Sequence, residues 1–509
     1  MPRDQKSRRA KQKKPRSRST KKPIEYRSAV SLPDGVFCEQ CFALLKTPSS
    51  YFARLDTATG KITYVPQVET PAVICKPVEG SIVTSGFIFL PQKATDFGDE
   101  RALLDELQQF IHCYLAVPLF FERLLAAYAL FSWLVDRFQA TPYIRSLGDW
   151  GKGKSRFLQT VSALSYHSVM SGGAISTAAV FRTIELFHGC LVIDEADFRQ
   201  SETWSEIVKV LNCGYMKGVP ILRCETARKT YTPEAFSPFG CKLLATRKPF
   251  DDDALESRCF TIKMDGALRD DTPLCLTDAF RQAAVALQNK LLAFRFRHMT
   301  TNFDARLREM ESDLRERITE ARLVQVSAPL LAVVSDETFR TEFTQFLLER
   351  DRQIRADRTD RPQAYVVEAI SRLLSEKQLP AKPQPIESLH VQALCDALKT
   401  VLGEHGDNGS DLTRSTIKMG NYLRKELNLT TGKISSGRYK GNKAVVLSAE
   451  QWEHLAVDFG LREASPVSTS PPGSQKPLQI NGISQVETLG ETPIQTLHHA
   501  EPSGDNTET

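Results

Sequence analysis

The chain has 509 residues, with 66 Lys plus Arg against 61 Asp plus Glu, and the net charge of +5 hides an uneven distribution. Residues 1–28 hold twelve basic residues against two acids, while the other 481 carry 54 against 59, so the positive excess lies in one short tail. At 41% hydrophobic and 25% charged, the bulk is globular rather than fibrous or disordered, and the length allows about two to four domains. The most apolar uncharged window, Leu124–Val135, is twelve residues, short of the roughly 20 that a membrane span needs. No apolar segment follows the basic N-terminus, so no secretory signal is expected. The eleven cysteines, scattered singly, suit reduced thiols in a cytosol-like compartment. The expected location is cytoplasmic and nucleoid-associated, or nuclear in a eukaryotic host.

Residues 1–23 are Lys, Arg, Ser, Gln and Pro with almost no apolar side chain, and they predict a disordered basic tail. Residues 24–140 predict a β-rich module followed by helices. The strand candidates are Gly60–Val65, Ala72–Cys75, Ser81–Thr84 and Gly86–Leu90, and helical spacing runs from Glu100 to Phe138 with a break near Pro118. Cys38 and Cys41 form the only CxxC. A zinc site needs two more ligands, and Cys75, His112 and Cys113 are irregularly placed for it. The flanking Phe37 and Phe42 point instead to a buried strand or helix. Residues 141–275 alternate buried strands with helices, the signature of a parallel α/β sheet. Residues 276–378 read as helical, with Leu323–Val334 uncharged and buried. A Pro-rich linker at 379–385 leads to a compact unit at 388–460, and 465–509 predicts a disordered tail.

The strongest motif is Gly148-Asp-Trp-Gly151-Lys-Gly153-Lys154-Ser155-Arg156, which matches G-x4-G-K-S between an apolar strand and an apolar helix. Glycines let backbone N–H groups curl around phosphate oxygens, and the helix N-terminus adds a positive dipole end. Gly148, Gly151, Gly153, Lys154, Ser155 and Arg156 are the candidate ATP-binding residues. Lys154 reaches the terminal phosphates and Ser155 ligates Mg²⁺. Forty residues past Lys154, Gly189-Cys-Leu-Val-Ile-Asp194-Glu195 is an apolar strand ending in two acids. Asp194 is the second candidate for holding Mg²⁺, and Glu195 for polarising the attacking water.

Two further segments complete the pattern: Phe239–Thr246, a buried strand ending in a polar residue, and Asp253-Ala-Leu-Glu-Ser-Arg258 before a last strand. Together the four elements resemble the AAA+ superfamily, and most closely the MCM-like and superfamily 3 helicases and primase-associated helicases of phages, plasmids and mobile elements. The resemblance covers 141–265 by motif and 25–460 loosely by layout. It implies an AAA+ (ASCE) P-loop core with a β-rich and helical N-terminal part, a helical segment and a C-terminal winged helix. It also implies that Thr246, with Arg247 as second choice, senses the γ-phosphate or lytic water. Arg258 becomes a finger reaching a neighbouring subunit, against the plainer reading of an ion pair with Glu256 or a nearby Asp. The segment 219–232 is then a hairpin whose tip residues Arg228 and Lys229 grip DNA. No primase active site stands out in 24–140, and no Arg-rich sensor 2 motif is found.

In the C-terminal unit, Leu412–Lys425 reads as a capped helix with apolar spacing at Ile417, Tyr422 and Leu423, followed by a basic hairpin. From Arg414 to Lys443 there are eight Lys/Arg and one acid. Arg414, Lys418, Arg424, Lys425, Arg438 and Lys440 are the candidate DNA contacts of a winged-helix layout. The expected function is a DNA-dependent ATPase using ATP and Mg²⁺. It would work as a replicative helicase or initiator of a mobile element, in a homo-oligomeric ring such as a hexamer, with DNA and primase or other replication proteins as partners. The alternative is a P-loop ATPase that acts as an ATP-switched DNA-binding regulator or scaffold.

Overall fold

A computed structural model of the chain describes residues 24–43, 49–172, 175–196, 202–224, 233–266, 269–359, 362–374, 379–404, 411–459 and 461. It is a mixed α/β structure. The N-terminal strands are β1 (Ile24–Tyr26), β2 (Ala29–Ser31), β3 (Val36–Ala43), β4 (Ser49–Asp56), β5 (Ile62–Val65), β6 (Val68–Glu69) and β7 (Ile74–Lys76). They pair in the orders β2-β3-β4-β5 and β1-β7-β6. Cys38 and Cys41 both lie in β3, and at a spacing of three they face opposite sides of the sheet. Cys38 packs with Val36 and Phe52, while Cys41 joins the main core, so the two cannot converge on one ion. Burial pushes the Cys38 thiol up to about 12 and raises that of Cys41 as well.

Two strand expectations fail here. Ser81–Thr84 is a single helical turn, α1 (Ser81–Thr84), started by Gly80 at φ 117 and held by Val83 in a small apolar cluster with Phe42 and Ile88. Gly86–Leu90 makes only a bridge, Ile88 to Val169, against the edge of the next sheet. The helical stretch divides at Pro118 into α2 (Glu100–Tyr114) and α3 (Leu119–Ser132), as the missing proline N–H requires.

The central layer contains β8 (Tyr143–Leu147), α4 (Lys154–Ser162), β9 (Val169–Ser171), α5 (Thr177–Phe187), β10 (Leu191–Ile193) and α6 (Glu202–Cys213). It continues through the antiparallel pair β11 (Ile221–Cys224) and β12 (Pro233–Phe236), then β13 (Lys242–Thr246), α7 (Asp253–Glu256) and β14 (Cys259–Lys263). Five strands form a parallel sheet in the order β14-β8-β13-β10-β9. The chain thus fills the sheet out of sequence, and β13 separates β8 from β10.

Helices α8 (Asp278–His298), α9 (Asp304–Arg315), α10 (Ala321–Val333) and α11 (Glu337–Thr359) follow. The uncharged stretch becomes α10, buried as its composition requires. One hydrophobic core runs from the N-terminal sheet through the parallel sheet to these helices. A second core gathers α12 (Pro362–Leu373), β15 (Gln384–His390), α13 (Val391–Glu404), α14 (Thr416–Glu426), β16 (Thr431–Lys433), β17 (Lys443–Leu447) and α15 (Ala449–Asp458). The C-terminal unit therefore begins at α12, ahead of the Pro-rich run, because Val366, Val367, Ala369 and Ile370 pack into that second core. The linker is also partly sheet, since Pro385 pairs with Val446. No helix among the described residues is long and apolar enough to cross a membrane.

A polar cluster, buried except at Asp136, ties these parts together. Arg295 of α8 donates to Glu39 of β3 at 2.7 Å, to the Trp133 carbonyl at 2.5 Å, and to both Asp136 oxygens at 2.8 and 3.0 Å. Tyr166 donates its hydroxyl to Glu39 at 2.6 Å. Burial works against the Asp136 carboxylate, but the Arg295 charge and hydrogen bonds outweigh it and hold its pKa below the usual range. His167 stacks on Tyr166 at 3.9 Å, and burial depresses its pKa to about 3. Between about pH 3 and 6.5 the unfolded chain binds the proton that folded His167 refuses. This group's contribution to stability therefore rises with pH through that window and falls on acidification, by about 1.4 kcal/mol per unit. His167→Asn tolerates the residue's φ of 40 and cannot titrate. Chemical denaturation from pH 6.5 to 4.5 should show a shallower loss of stability for this variant than for the wild type.

Candidate nucleotide site and nucleic-acid interface

The three central strands of the parallel sheet end on the same side, and the candidate residues lie at or just beyond those ends. The loop leaving β8 turns through Gly151 at φ 74 and Gly153 at φ 86, conformations that favour glycine. Gly148 is needed for space as well, since a Cβ there would lie 2.6 Å from the Met264 carbonyl oxygen. Lys154 opens α4 and donates to the Asp149 carbonyl at 2.7 Å, folding the ammonium back over its own loop. Ser155 donates to Asp194 Oδ2 at 2.7 Å. That contact brings together side chains 39 residues apart, from the start of α4 and the end of β10.

The donor set fits Mg²⁺. A hydroxyl and a carboxylate oxygen side by side at a phosphate-binding loop are the few protein ligands this ion takes when phosphates and water complete its shell. Among the described residues no group of three or more His, Cys, Asp and Glu could form an all-protein metal cage. Glu195 follows Asp194 at φ 53, an uncommon conformation for a non-glycine residue. Its backbone N–H donates to Asp194 Oδ1 at 2.9 Å, and its carboxylate lies 3.8 Å from Arg247. The interposed strand β13 places Thr246 between the loop and the two acids. Its side chain is buried, and among the described residues its hydroxyl oxygen has no hydrogen-bond partner. Buried hydroxyls are nearly always satisfied, so the group is a candidate to bond a water or ligand oxygen at the strand end.

Other predicted residues have different surroundings. Arg156 does not project into the loop. Its guanidinium donates to the Pro273 and Leu274 carbonyls, at 2.9 and 2.5 Å, and fixes the strap that leaves β14. Lys152 holds the same strap through the Asp265 carbonyl at 2.9 Å. Arg258 is turned inward: it is buried, donates to the Ala254 carbonyl, and lies 4.4 Å from the centre of the Tyr215 ring. Burial, and then the nearby Arg322, lower its pKa. The expected partner Glu256 is instead engaged by Arg145, through two bonds of 2.5 Å, with Arg350 at 3.8 Å. Sequence reading overlooked Arg145. Its signal was an arginine inside the otherwise buried strand β8, which demands a carboxylate nearby.

The strands β11 and β12 form the expected antiparallel pair, but Arg228 and Lys229 lie outside the described residues. In the C-terminal unit the order is helix, strand, two helices, a two-stranded hairpin and a last helix, with sheet order β15-β17-β16. Arg414, Lys418, Arg424, Lys425, Arg438 and Lys440 are all exposed, and Lys418 pairs with Asp411 at 2.7 Å. One detail is corrected: α14 buries Met419 and Leu423, while Ile417 is 76% exposed. The face was misjudged by treating every apolar residue as a core residue.

No family model matches the chain, and no curated protein does. Among solved structures it is similar to the A form apo structure of the NrS-1 C-terminal region, with a TM-score of 0.31 and 11% identity over 81% of this chain and 97% of that one. A second apo structure of the same region gives a TM-score of 0.30 and 12% identity, covering 81% and 96%. A likeness at that level fixes neither the fold nor the chemistry of this chain.

Proposed function

We propose that this chain is an ATP-hydrolysing, DNA-dependent motor of the AAA+ type, serving as a replicative helicase or initiator of a mobile genetic element. The observation that carries the reading is the 2.7 Å contact between Ser155 and Asp194, beside the unpartnered Thr246 hydroxyl on an interposed strand. A kinase-like P-loop site needs no strand between its loop strand and its acid strand. A site that hydrolyses ATP uses the end of such a strand to hold a polar group near the reacting phosphate. In this reading Lys154 and the loop N–H groups bind the phosphates, Thr246 positions the lytic water, and Glu195 accepts its proton. Mg²⁺, held by Ser155 and Asp194, would neutralise charge on the phosphates. The C-terminal unit is then a winged helix, with α14 and the loop 434–442 presenting basic side chains to duplex DNA.

A second reading, an ATP-switched DNA-binding regulator or scaffold, is favoured by the inward Arg258. A buried guanidinium is not displayed to a neighbouring subunit. Strand displacement on a forked duplex separates the two readings.

Thr246→Val tests the site itself. Because the hydroxyl has no partner, its loss leaves nothing newly unsatisfied and should leave stability nearly unchanged. Turnover should nevertheless fall about a hundred- to a thousandfold, the range seen when a positioned hydrogen-bonding group is lost. Unchanged turnover would remove Thr246 from the chemistry. Absence of any DNA stimulation of the wild-type ATPase at low salt would exclude the motor.

A further inference from the structure

We infer that the outer stripe of α14 reads bases in the major groove of duplex DNA, with Ile417 against a thymine methyl and Asn421 paired to an adenine edge. This rests on the DNA-binding reading of the C-terminal unit and specifies what that unit recognises.

The stripe follows from helix geometry. With Ile417 as reference, Asn421 lies about 40° round the helix and Arg424 about 20° the other way. Met419 and Leu423, which are buried, lie about 200° and 240° round, on the opposite side. Ile417, Asn421 and Arg424 therefore point directly away from the core that holds the helix in place. All three are exposed, and Ile417 retains 76% of its surface. A wide-open isoleucine is out of place on a face otherwise made of Lys418, Asn421, Arg424 and Lys425.

Charge selects the occupant. Arg414 lies before the helix, Lys418 and Lys425 line one edge of the stripe, and Arg438 and Lys440 stand on the adjoining loop, all exposed. By the same geometry Lys418 and Lys425 lie about 100° and 80° round from Ile417, so one basic edge borders the uncharged pair, and with Arg424 in the stripe itself it suits a groove walled by phosphate. An eleven-residue helix spans about 16 Å, and the B-form major groove is about 12 Å wide, enough to admit it. The stripe from Ile417 to Arg424 covers about 10 Å, roughly three steps of 3.4 Å. A-form RNA has a deep, narrow major groove that would not admit the helix. Within the B-form groove the thymine methyl is the apolar feature, and adenine N6 and N7 are the donor–acceptor pair that a carboxamide matches. Isoleucine followed four residues later by asparagine supplies both partners on one face.

The test uses the full chain. Selection from a randomised duplex pool should enrich a short motif containing an A·T pair. Asn421→Ala should lose about 5- to 150-fold of preference for adenine at one position, the discrimination expected of a bidentate pair, and keep its affinity for unrelated duplex. Deoxyuridine in place of the motif thymine removes only the methyl. It should weaken the wild type and leave Ile417→Ala unaffected. Both positions are exposed, so the melting temperature of each variant should match the wild type. Equal weakening on all sequences, or salt-dependent duplex binding with no enriched motif, would overturn base reading while sparing the DNA-binding reading. Failure of the wild type to bind any duplex at low salt would overturn both.

Discussion

Lys154→Ala is expected to lower ATP turnover about a thousandfold, the scale on which removal of a preorganised charge-stabilising donor acts. Two lysines lie in this loop, and they are held differently. Lys152 is committed to the Asp265 carbonyl across the strap, whereas Lys154 is folded over its own loop at Asp149. In the proposed site its loss would leave the backbone N–H groups of the loop in place but remove the charge that would face developing negative charge on a terminal phosphate. Glu195→Gln should differ in kind. It retains the size of the side chain, so nucleotide should still bind while turnover falls about a hundred- to ten-thousandfold. Phosphate release at saturating ATP measures the first quantity. Trp150, 82% exposed within the loop, offers a fluorescence reading of the second. Turnover preserved in Lys154→Ala would mean that 148–155 is not the phosphate cradle. Lost binding in Glu195→Gln would mean that this carboxylate supports the site rather than the reaction.

Arg295→Met should be among the most destabilising single changes in the chain. The guanidinium is 4% exposed and bonds Glu39, Asp136 and the Trp133 carbonyl. Methionine fills much of the same volume but leaves Glu39 fully buried beside the Tyr166 hydroxyl and the neighbouring His167 ring. Breaking one side of a buried ion pair costs about 3–5 kcal/mol. Lys290→Ala, which removes a more exposed pair with Glu106 on the same helix, should cost about 1 kcal/mol or less. Urea midpoints of the two variants against the wild type decide the matter. Similar shifts would show that the cluster contributes no more than a surface contact. If Glu39→Gln combined with Arg295→Met regains part of the loss, the stranded charge is the cause.

The parts of the site that could be read in advance were those whose chemistry is local. Gly148 to Ser155 is one turn of chain, and Asp194 and Glu195 are adjacent residues after an apolar strand. Their meeting across 39 residues follows from strand pairing, which motif spacing anticipates. Thr246 was identified as a strand end, but only the structure shows that its hydroxyl is orphaned. Arg258 and Ile417 show what spacing leaves out: the resemblance implies a finger, yet the arginine lies over the Tyr215 ring, and apolar spacing puts Ile417 inward, yet it stays exposed among the described residues. Ser81–Thr84 has the composition of a strand, but Gly80 and the pull of Val83 into its cluster make it a helical turn. Long-range polar partners such as Glu39 and Arg295, 256 residues apart, leave no periodic trace in a sequence.

The left-handed backbone at Glu195 has a consequence for how the protein can change. At φ 53, glycine or asparagine would sit more comfortably than glutamate, and neither carries a carboxylate. On the proposed reading, folding and chemistry would ask for different residues at one position. A library screened only for thermal resistance should accept glycine or asparagine at 195, and one screened for phosphate release should reject both. The position where those two lists diverge most sharply is where the molecule trades durability for work.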